Sequence, residues 1–366
     1  MAPESAAASI PIDSLYFLLS YARGAGVPRP LERADGEAQR LESPQSLVAW
    51  WLATETEALA RRGLVRGYVA REKTLRCVRG AIDFGRLARM PDARTRIPCS
   101  FDDLDADTWA NRRIARALRV AARARLESEA DTAVRRARRV LAGVGEEQRG
   151  TPRRKLARHE RHYRVALALC DIVLRFALPC DRQGDDATID FRDFTKDGRW
   201  MGALFERFVR EVIRREQGLL RYRPRSSSLV HLARPIGSAR ALASALLPRL
   251  ETDICLEDCT LAVKQRTVAV IETKFYTPPL IYGRHDGKAR LRTTHINQLY
   301  VYMKALAAQG QPVRTGILLY AASTREGGFD VEYTIDGFHL IARTLALDAP
   351  PATLIADVLS LLGPIA

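Results

Sequence analysis

A carboxylate and an ammonium sit inside an otherwise apolar run, Val268-Ala269-Val270-Ile271-Glu272-Thr273-Lys274-Phe275-Tyr276. The run is rich in β-branched and aromatic residues and is bounded by Arg266 and Pro278-Pro279, which predicts a strand. Side chains alternate along a strand, so Glu272 and Lys274 share a face. Charges beside Val270 on such a strand are costly to desolvate without a partner or a task. A second strand is predicted just upstream, Glu251-Thr252-Asp253-Ile254-Cys255-Leu256, with Asp253 near its middle. If the two pair as a hairpin, Asp253 and Glu272 converge on one point.

Two convergent carboxylates offer hard oxygen ligands to a divalent cation such as Mg²⁺, with Mn²⁺ as the second candidate. Such a cation polarises a phosphate oxygen and lowers the pKa of water. The lysine beside it can orient that water or stabilise developing negative charge. The T-D…E-T-K pattern resembles the PD-(D/E)XK nuclease core, with Thr252 where that motif usually has Pro. The competing reading is a surface hairpin whose charges are merely solvated, because an E-x-K triplet is common.

The chain is long enough for two domains at 366 residues. A polar, glycine-containing stretch from Asp181 to Gly198 predicts the division, giving a first domain over 1–180 and a second over 181–366. The formal net charge of +15 points to a polyanionic partner such as a nucleic acid. No apolar run reaches bilayer length, and Met1 to Ser9 lacks the basic and apolar blocks of a secretory signal. The six cysteines are scattered, and only Cys255 and Cys259 lie close, a poor zinc signal. A cytoplasmic protein with reduced thiols and no membrane contact is expected.

In chain order, Asp13 to about Gly24 predicts a very apolar core helix carrying Leu15, Tyr16, Phe17, Leu18 and Leu19. Ser43-Pro44 opens a second helix that Gly63 stops. Short strands follow from Val65 to Ile82, with a turn at Gly80, and another from Ile97 to Phe101. The aspartates Asp102, Asp103, Asp105 and Asp107 are expected in a loop leading to the positive end of the next helix. Trp109 to about Leu178 is mostly helical and is the densest basic region. Its arginines suit phosphates or an acidic protein surface, and the sequence does not separate the two.

In the second half, Trp200 to Glu216 is an amphipathic helix. Within it Gly202-Ala203-Leu204-Phe205-Glu206 has the look of the G-x-x-x-E element that supplies one more metal-binding carboxylate in many such nucleases; an ordinary boundary glutamate is the equal alternative. The loop from Tyr276 to Arg292 carries Arg284, Lys288, Arg290 and Arg292 and is suited to a phosphate backbone. The helix from about Thr294 presents Gln298, an accessory candidate, together with Asn297 and Tyr302. The strand from Arg314 to Ala321 is apolar throughout, as a buried central strand should be. The order of elements predicts an α+β or α/β chain: a mixed β and helical domain, then a mixed sheet flanked by helices.

The whole chain resembles one family, the McrC nuclease subunits of McrBC-type modification-dependent restriction systems. I-P-I-D-S-L-Y-F-L-L-S-Y-A, L-R-C-V-R-G-A-I-D-F, D-A-D-T-W-A-N-R-R-I and T-D…I-E-T-K-F-Y with I-N-Q-L-Y-V-Y carry the resemblance. It implies an N-terminal domain that docks on a hexameric AAA+ GTPase (McrB-like) and stimulates it. It also implies Mg²⁺-dependent cleavage of double-stranded DNA by a C-terminal PD-(D/E)XK endonuclease domain, in phage defence. Carried over, Asp253, Glu272 and Lys274 are the catalytic set, and Asp253, Glu272 and Glu206 the metal set. A non-catalytic adaptor that activates a ring NTPase and holds DNA by charge is the alternative.

Overall fold

The computed structural model describes residues 10–23, 41–90, 96–145, 147, 154–178, 190–217, 221–226, 229–230, 246, 250–262, 266–275, 280–282, 287–323 and 328–365. The chain divides into two compact units, Met1–Arg33 with Asp193–Ala366, and Ala34–Arg192. The sequence reading instead placed the first helix with residues 1–180. That helix, α1 (Ile12–Arg23), groups with the C-terminal half. Its Leu15, Phe17, Leu18, Leu19 and Tyr21 are all buried, as an apolar helix requires.

The unit from Ala34 to Arg192 begins with α2 (Pro44–Arg62), where Ser43 caps the N-terminus by accepting from the Ser46 N–H. Gly63 ends it in the left-handed region at φ 91°. Three antiparallel strands follow, β1 (Gly67–Leu75), β2 (Ala81–Ile82) and β3 (Ile97–Asp105), in the order β1-β3-β2. Asp102, Asp103 and Asp105 therefore lie in a strand and not in the loop expected for them. Cross-strand and neighbouring cations offset their poor strand preference: Arg79 holds Asp103 at 2.8 Å, and Arg71 pairs with Asp105.

Thr108 caps α3 (Trp109–Ala121). Asp107 accepts from the Arg112 guanidinium at 2.8 and 2.7 Å and from the Gly145 N–H at 2.8 Å. Fully buried Asn111 donates to the carbonyls of Val65 at 3.0 Å and Ala106 at 2.6 Å. The D-A-D-T-W-A-N-R-R-I stretch is thus a polar clamp that satisfies buried backbone groups. With α4 (Ser128–Val140) and α5 (Arg164–Phe176) these helices form the core of the unit, α2 packing on both.

The other unit adds α6 (Gly198–Glu216), capped by Asp197, whose side chain accepts from the Trp200 N–H. Its stripe of Met201, Leu204, Phe205, Phe208, Val209 and Val212 is buried. Phe208 meets Phe17 and Tyr21 of α1 edge-on, at centroid distances of 5.6 and 5.8 Å. The Tyr21 hydroxyl donates to Glu216 at 2.9 Å.

A six-stranded mixed sheet follows. Its members are β4 (Tyr222–Ser226), β5 (Ile254–Asp258), β6 (Thr267–Lys274), β7 (Thr315–Ala322), β8 (Asp330–Ile335) and β9 (Phe338–Ala346), ordered β8-β9-β7-β6-β5-β4. The β6–β7 and β7–β9 pairs are parallel, and the others are antiparallel. Every residue of β7 is buried, as read from its apolar run. Asp336 and Gly337 turn β8 into β9 with positive φ at both positions, 50° and 78°, the geometry a two-residue hairpin favours.

The helices α7 (Thr293–Ala308) and α8 (Pro351–Ser360) complete the unit. Leu299, Tyr302 and Met303 of α7 pack on Val270, Leu318 and Tyr320 of the sheet. Gly316 permits that approach, because a Cβ there would collide with Met303 Sδ and Leu299. Among the described residues no helix is long and apolar enough to cross a membrane.

Candidate active site

The ladder between β5 and β6 runs antiparallel and ends at the pair Ile254–Ile271. The next position on one strand is Asp253, and on the other Glu272. Asp253 is not in mid-strand, as its sequence suggested, but at a bend just before β5. Its main-chain N–H donates to Glu272 Oε1 at 3.2 Å. The hairpin pairing is present, and the Asp253 charge lies near enough to raise the Glu272 pKa.

Val270, on the same face as Glu272 and Lys274, belongs to the core beneath α7. Lys274 Nζ donates to Glu272 Oε2 at 3.1 Å and to Gln298 Oε1 at 2.8 Å. Gln298 in turn donates through Nε2 to the Tyr302 hydroxyl at 2.9 Å. The four-residue spacing places Gln298 and Tyr302 on one helix face, a signal present in the sequence but given no role for Tyr302. The lysine is therefore held from two sides, by a carboxylate on its own strand and an amide from the helix above.

Glu272 is 0% exposed. Burial, reinforced by the nearby Asp253 charge, pushes its carboxyl up to about 7, while Lys274 pulls it back. Thr273 is the residue the sequence reading passed over. Both its N–H and its hydroxyl donate to Asp253 Oδ2, each at 2.8 Å. The only available signal was its place between Glu272 and Lys274, and alternation alone aimed it at the opposite face.

Glu206 lies near enough for the Asp253 charge to raise its pKa, after the larger effect of burial. It is ion-paired with Arg210 one turn along α6. Among the described residues no three His, Cys, Asp or Glu side chains form a group that could hold a metal, so the structure does not gather Glu206 with Asp253 and Glu272. Two carboxylates still suit Mg²⁺, which keeps several waters and binds through one or two carboxylates plus a substrate phosphate. The donor chemistry fits: both groups are hard oxygens, and a carboxylate pushed to about 7 by burial and a like charge gains from a cation beside it.

Of the basic loop, Lys288 and Arg290 are exposed, and Arg292 is half-buried at the N-terminus of α7; Arg284 lies outside the described residues. Buried His295, three residues on from Arg292, shares a hydrogen bond of 2.9 Å between Nδ1 and the Tyr320 hydroxyl. Burial, then the charges of Lys274 and Arg292, push its pKa down to about 4.

A family model described as McrBC 5-methylcytosine restriction system component matches residues 12–321. The chain is similar to the type IV methyl-directed restriction enzyme EcoKMcrBC of Escherichia coli (strain K12), with 24% identity over 346 residues, covering 92% of this chain and 93% of that one. Its fold is similar to a chain in the refined half-complex from the tetradecameric assembly of Thermococcus gammatolerans McrB AAA+ hexamers with bound McrC. That likeness has a TM-score of 0.53 at 15% identity and covers 94% of this chain and 76% of the other.

Proposed function

The chain belongs to the family of McrBC 5-methylcytosine restriction system components, and from that premise we propose that it is the DNA-cleaving subunit of such a system, a PD-(D/E)XK endonuclease that works docked on a hexameric AAA+ GTPase. The observation that carries the reading is the convergence of Asp253, Glu272 and Lys274 at the open end of the β5–β6 ladder, with Gln298 on the lysine. The Escherichia coli relative is a restriction enzyme by name, and the Thermococcus complex holds McrC on AAA+ hexamers.

Asp253 and Glu272 would hold Mg²⁺, which when bound supplies Lewis-acid activation of a phosphodiester and its attacking water. Lys274, fixed between Glu272 and Gln298, directs its remaining N–H at the charge that builds on the phosphoryl oxygens. Gln298 keeps the ammonium in place by accepting from it, and Tyr302 fixes the orientation of that amide. Lys288, Arg290 and Arg292 supply positive charge for the DNA backbone at the start of α7.

Docking belongs to the unit from Ala34 to Arg192. There Tyr68, 79% exposed, and Leu104, 52% exposed, face each other across β1 and β3, with exposed Phe84 and Val78 elsewhere in the unit. Apolar groups so exposed mark a surface that another protein covers.

The test is cleavage of modified duplex DNA by the chain with its ring partner, GTP and Mg²⁺. Cleavage by the unsubstituted chain, lost in Asp253→Ala and Lys274→Ala while both still bind the ring, is the expected result. Equal cleavage by these variants would refute the enzyme reading.

A further inference from the structure

We propose that Thr273 is a positioning residue that aims the Asp253 carboxylate at a divalent cation; the inference rests on the metal-dependent reading of the site given above. The ladder between β5 and β6 stops at Ile254–Ile271, and among the described residues no strand pairs with the edge of β6 beyond it on that side. The N–H of Thr273 falls on this open edge. Asp253 Oδ2 takes the place a strand carbonyl would have, accepting from that N–H at 2.8 Å and from the Thr273 hydroxyl at 2.8 Å.

Two donors on a single oxygen remove the freedom of the carboxylate to rotate. Among the described residues no hydrogen bond to Asp253 Oδ1 is present, so that oxygen is left for a ligand. The same bend sends the Asp253 N–H back to Glu272 Oε1, tying the positions of the two carboxylates to each other. Glu272 and Lys274 face α7, and the residue between them holds the third member of the set from the strand edge. All three consecutive side chains of E-T-K therefore serve one site.

Hydrogen bonds behind a metal ligand cost affinity when removed, by about 10- to 100-fold. Thr273→Val keeps the shape and the N–H but deletes the hydroxyl, and Thr273→Ser restores the hydroxyl. The probe is Mn²⁺, titrated into the full chain and followed by electron paramagnetic resonance, with thermal melting of the metal-free protein in parallel.

Expected are Mn²⁺ binding weakened by about 10- to 100-fold in Thr273→Val, affinity close to the unsubstituted chain in Thr273→Ser, and similar melting of all three without metal. In the cleavage assay with the ring partner, the Mg²⁺ half-saturation point of Thr273→Val should rise, with the rate recovering at high Mg²⁺. If Thr273→Val binds Mn²⁺ as tightly as the unsubstituted chain while Asp253→Ala does not bind it, the proposal is overturned and the nuclease reading stands. If the unsubstituted chain binds no Mn²⁺ that Asp253→Ala abolishes, both fall together. A Thr273→Ser variant as weak as Thr273→Val also overturns the proposal, because the hydroxyl would not be what matters.

Discussion

Lys274 Nζ stands 3.1 Å from Glu272 Oε2, and no part of Glu272 reaches solvent. A buried ion pair of this kind stabilises little by itself, because desolvation offsets much of the attraction. Retaining one at the end of a strand makes sense when both charges also have work to do. Lys274→Ala is therefore expected to lower cleavage by at least about 10²-fold, the scale seen when a positioned donor to a developing anion is lost. Plasmid linearisation with the ring partner and GTP measures it.

The depth of the site has a cost that depends on pH. Glu272 titrates at about 7 in the folded chain, above the 4.5 of an ordinary glutamate. A raised carboxyl favours folding while it is protonated, and that contribution is lost as pH climbs through the folded value. The metal-free chain should thus lose stability between about pH 5 and 8, by at most about 3 kcal/mol. Glu272→Gln should flatten this slope, and Lys274→Ala should carry the loss to higher pH, since the ammonium holds the carboxyl down. Urea unfolding in the presence of a chelator, repeated across the range, reads both.

His295 works in the opposite direction. Burial and the charges of Lys274 and Arg292 hold it at about 4, below the ordinary 6.5. A depressed histidine contributes stability that is present above about pH 6.5 and is lost as pH falls toward the folded value. Tyr320, across a 2.9 Å hydrogen bond, is its neutral partner, and Lys274 and Arg292 are the charges that face it. Acid unfolding should begin earlier in the unsubstituted chain than in His295→Gln. A nuclear magnetic resonance titration of the His295 ring should show no charging near pH 6.5.

Much of this could be read from residue order, and the exceptions have physical causes. The strand around Glu272, the buried run of β7 and the caps at Ser43 and Gly63 follow from alternation, apolarity and backbone freedom, which are local properties. Asp253 was misplaced because Glu251 to Leu256 alternates well enough to suggest an unbroken strand, and nothing local encodes a bend there. The bend is held by contacts with Glu272 and Thr273, about twenty residues away. Asp102, Asp103 and Asp105 depart from the expected loop for a related reason: their strand is stabilised by Arg71 and Arg79 on other segments, whereas Asp107 does lie in the loop before the helix. Tertiary pairing overrides a weak preference.

Gln298 links α7 to the site through a single amide. Gln298→Ala removes the acceptor at 2.8 Å from Lys274 and leaves the Tyr302 hydroxyl without its donor. A hydrogen bond to a charged group contributes about 1.5–3 kcal/mol, so cleavage should fall by about 10- to 100-fold. Tyr302→Phe should have a smaller effect, because Gln298 still accepts from the lysine. A parallel assay of GTP hydrolysis by the ring should find both variants unchanged, separating loss of cleavage from loss of docking.

The placement of α1 leads to the last prediction. The apolarity of Ile12 to Arg23 announces a core helix, but the sequence does not say which core. Phe17 and Tyr21 meet Phe208 of α6 edge-on, and Tyr21 donates to Glu216 at the end of the same helix. The unit carrying Asp253, Glu272 and Lys274 is therefore built from both ends of the chain, with Ala34–Arg192 inserted between them. A fragment starting at Asp193 would expose the stripe of α6 that α1 covers. It should lack a cooperative thermal transition, even though it holds every proposed catalytic residue. Co-expression with residues 1–33 as a separate segment should restore the transition. In the full chain, Phe208→Ala should cost about 3–5 kcal/mol, because it deletes a fully buried ring that two aromatic neighbours contact. The loss should appear in the melting of the sheet-bearing unit and leave the binding of the ring partner by the other unit intact.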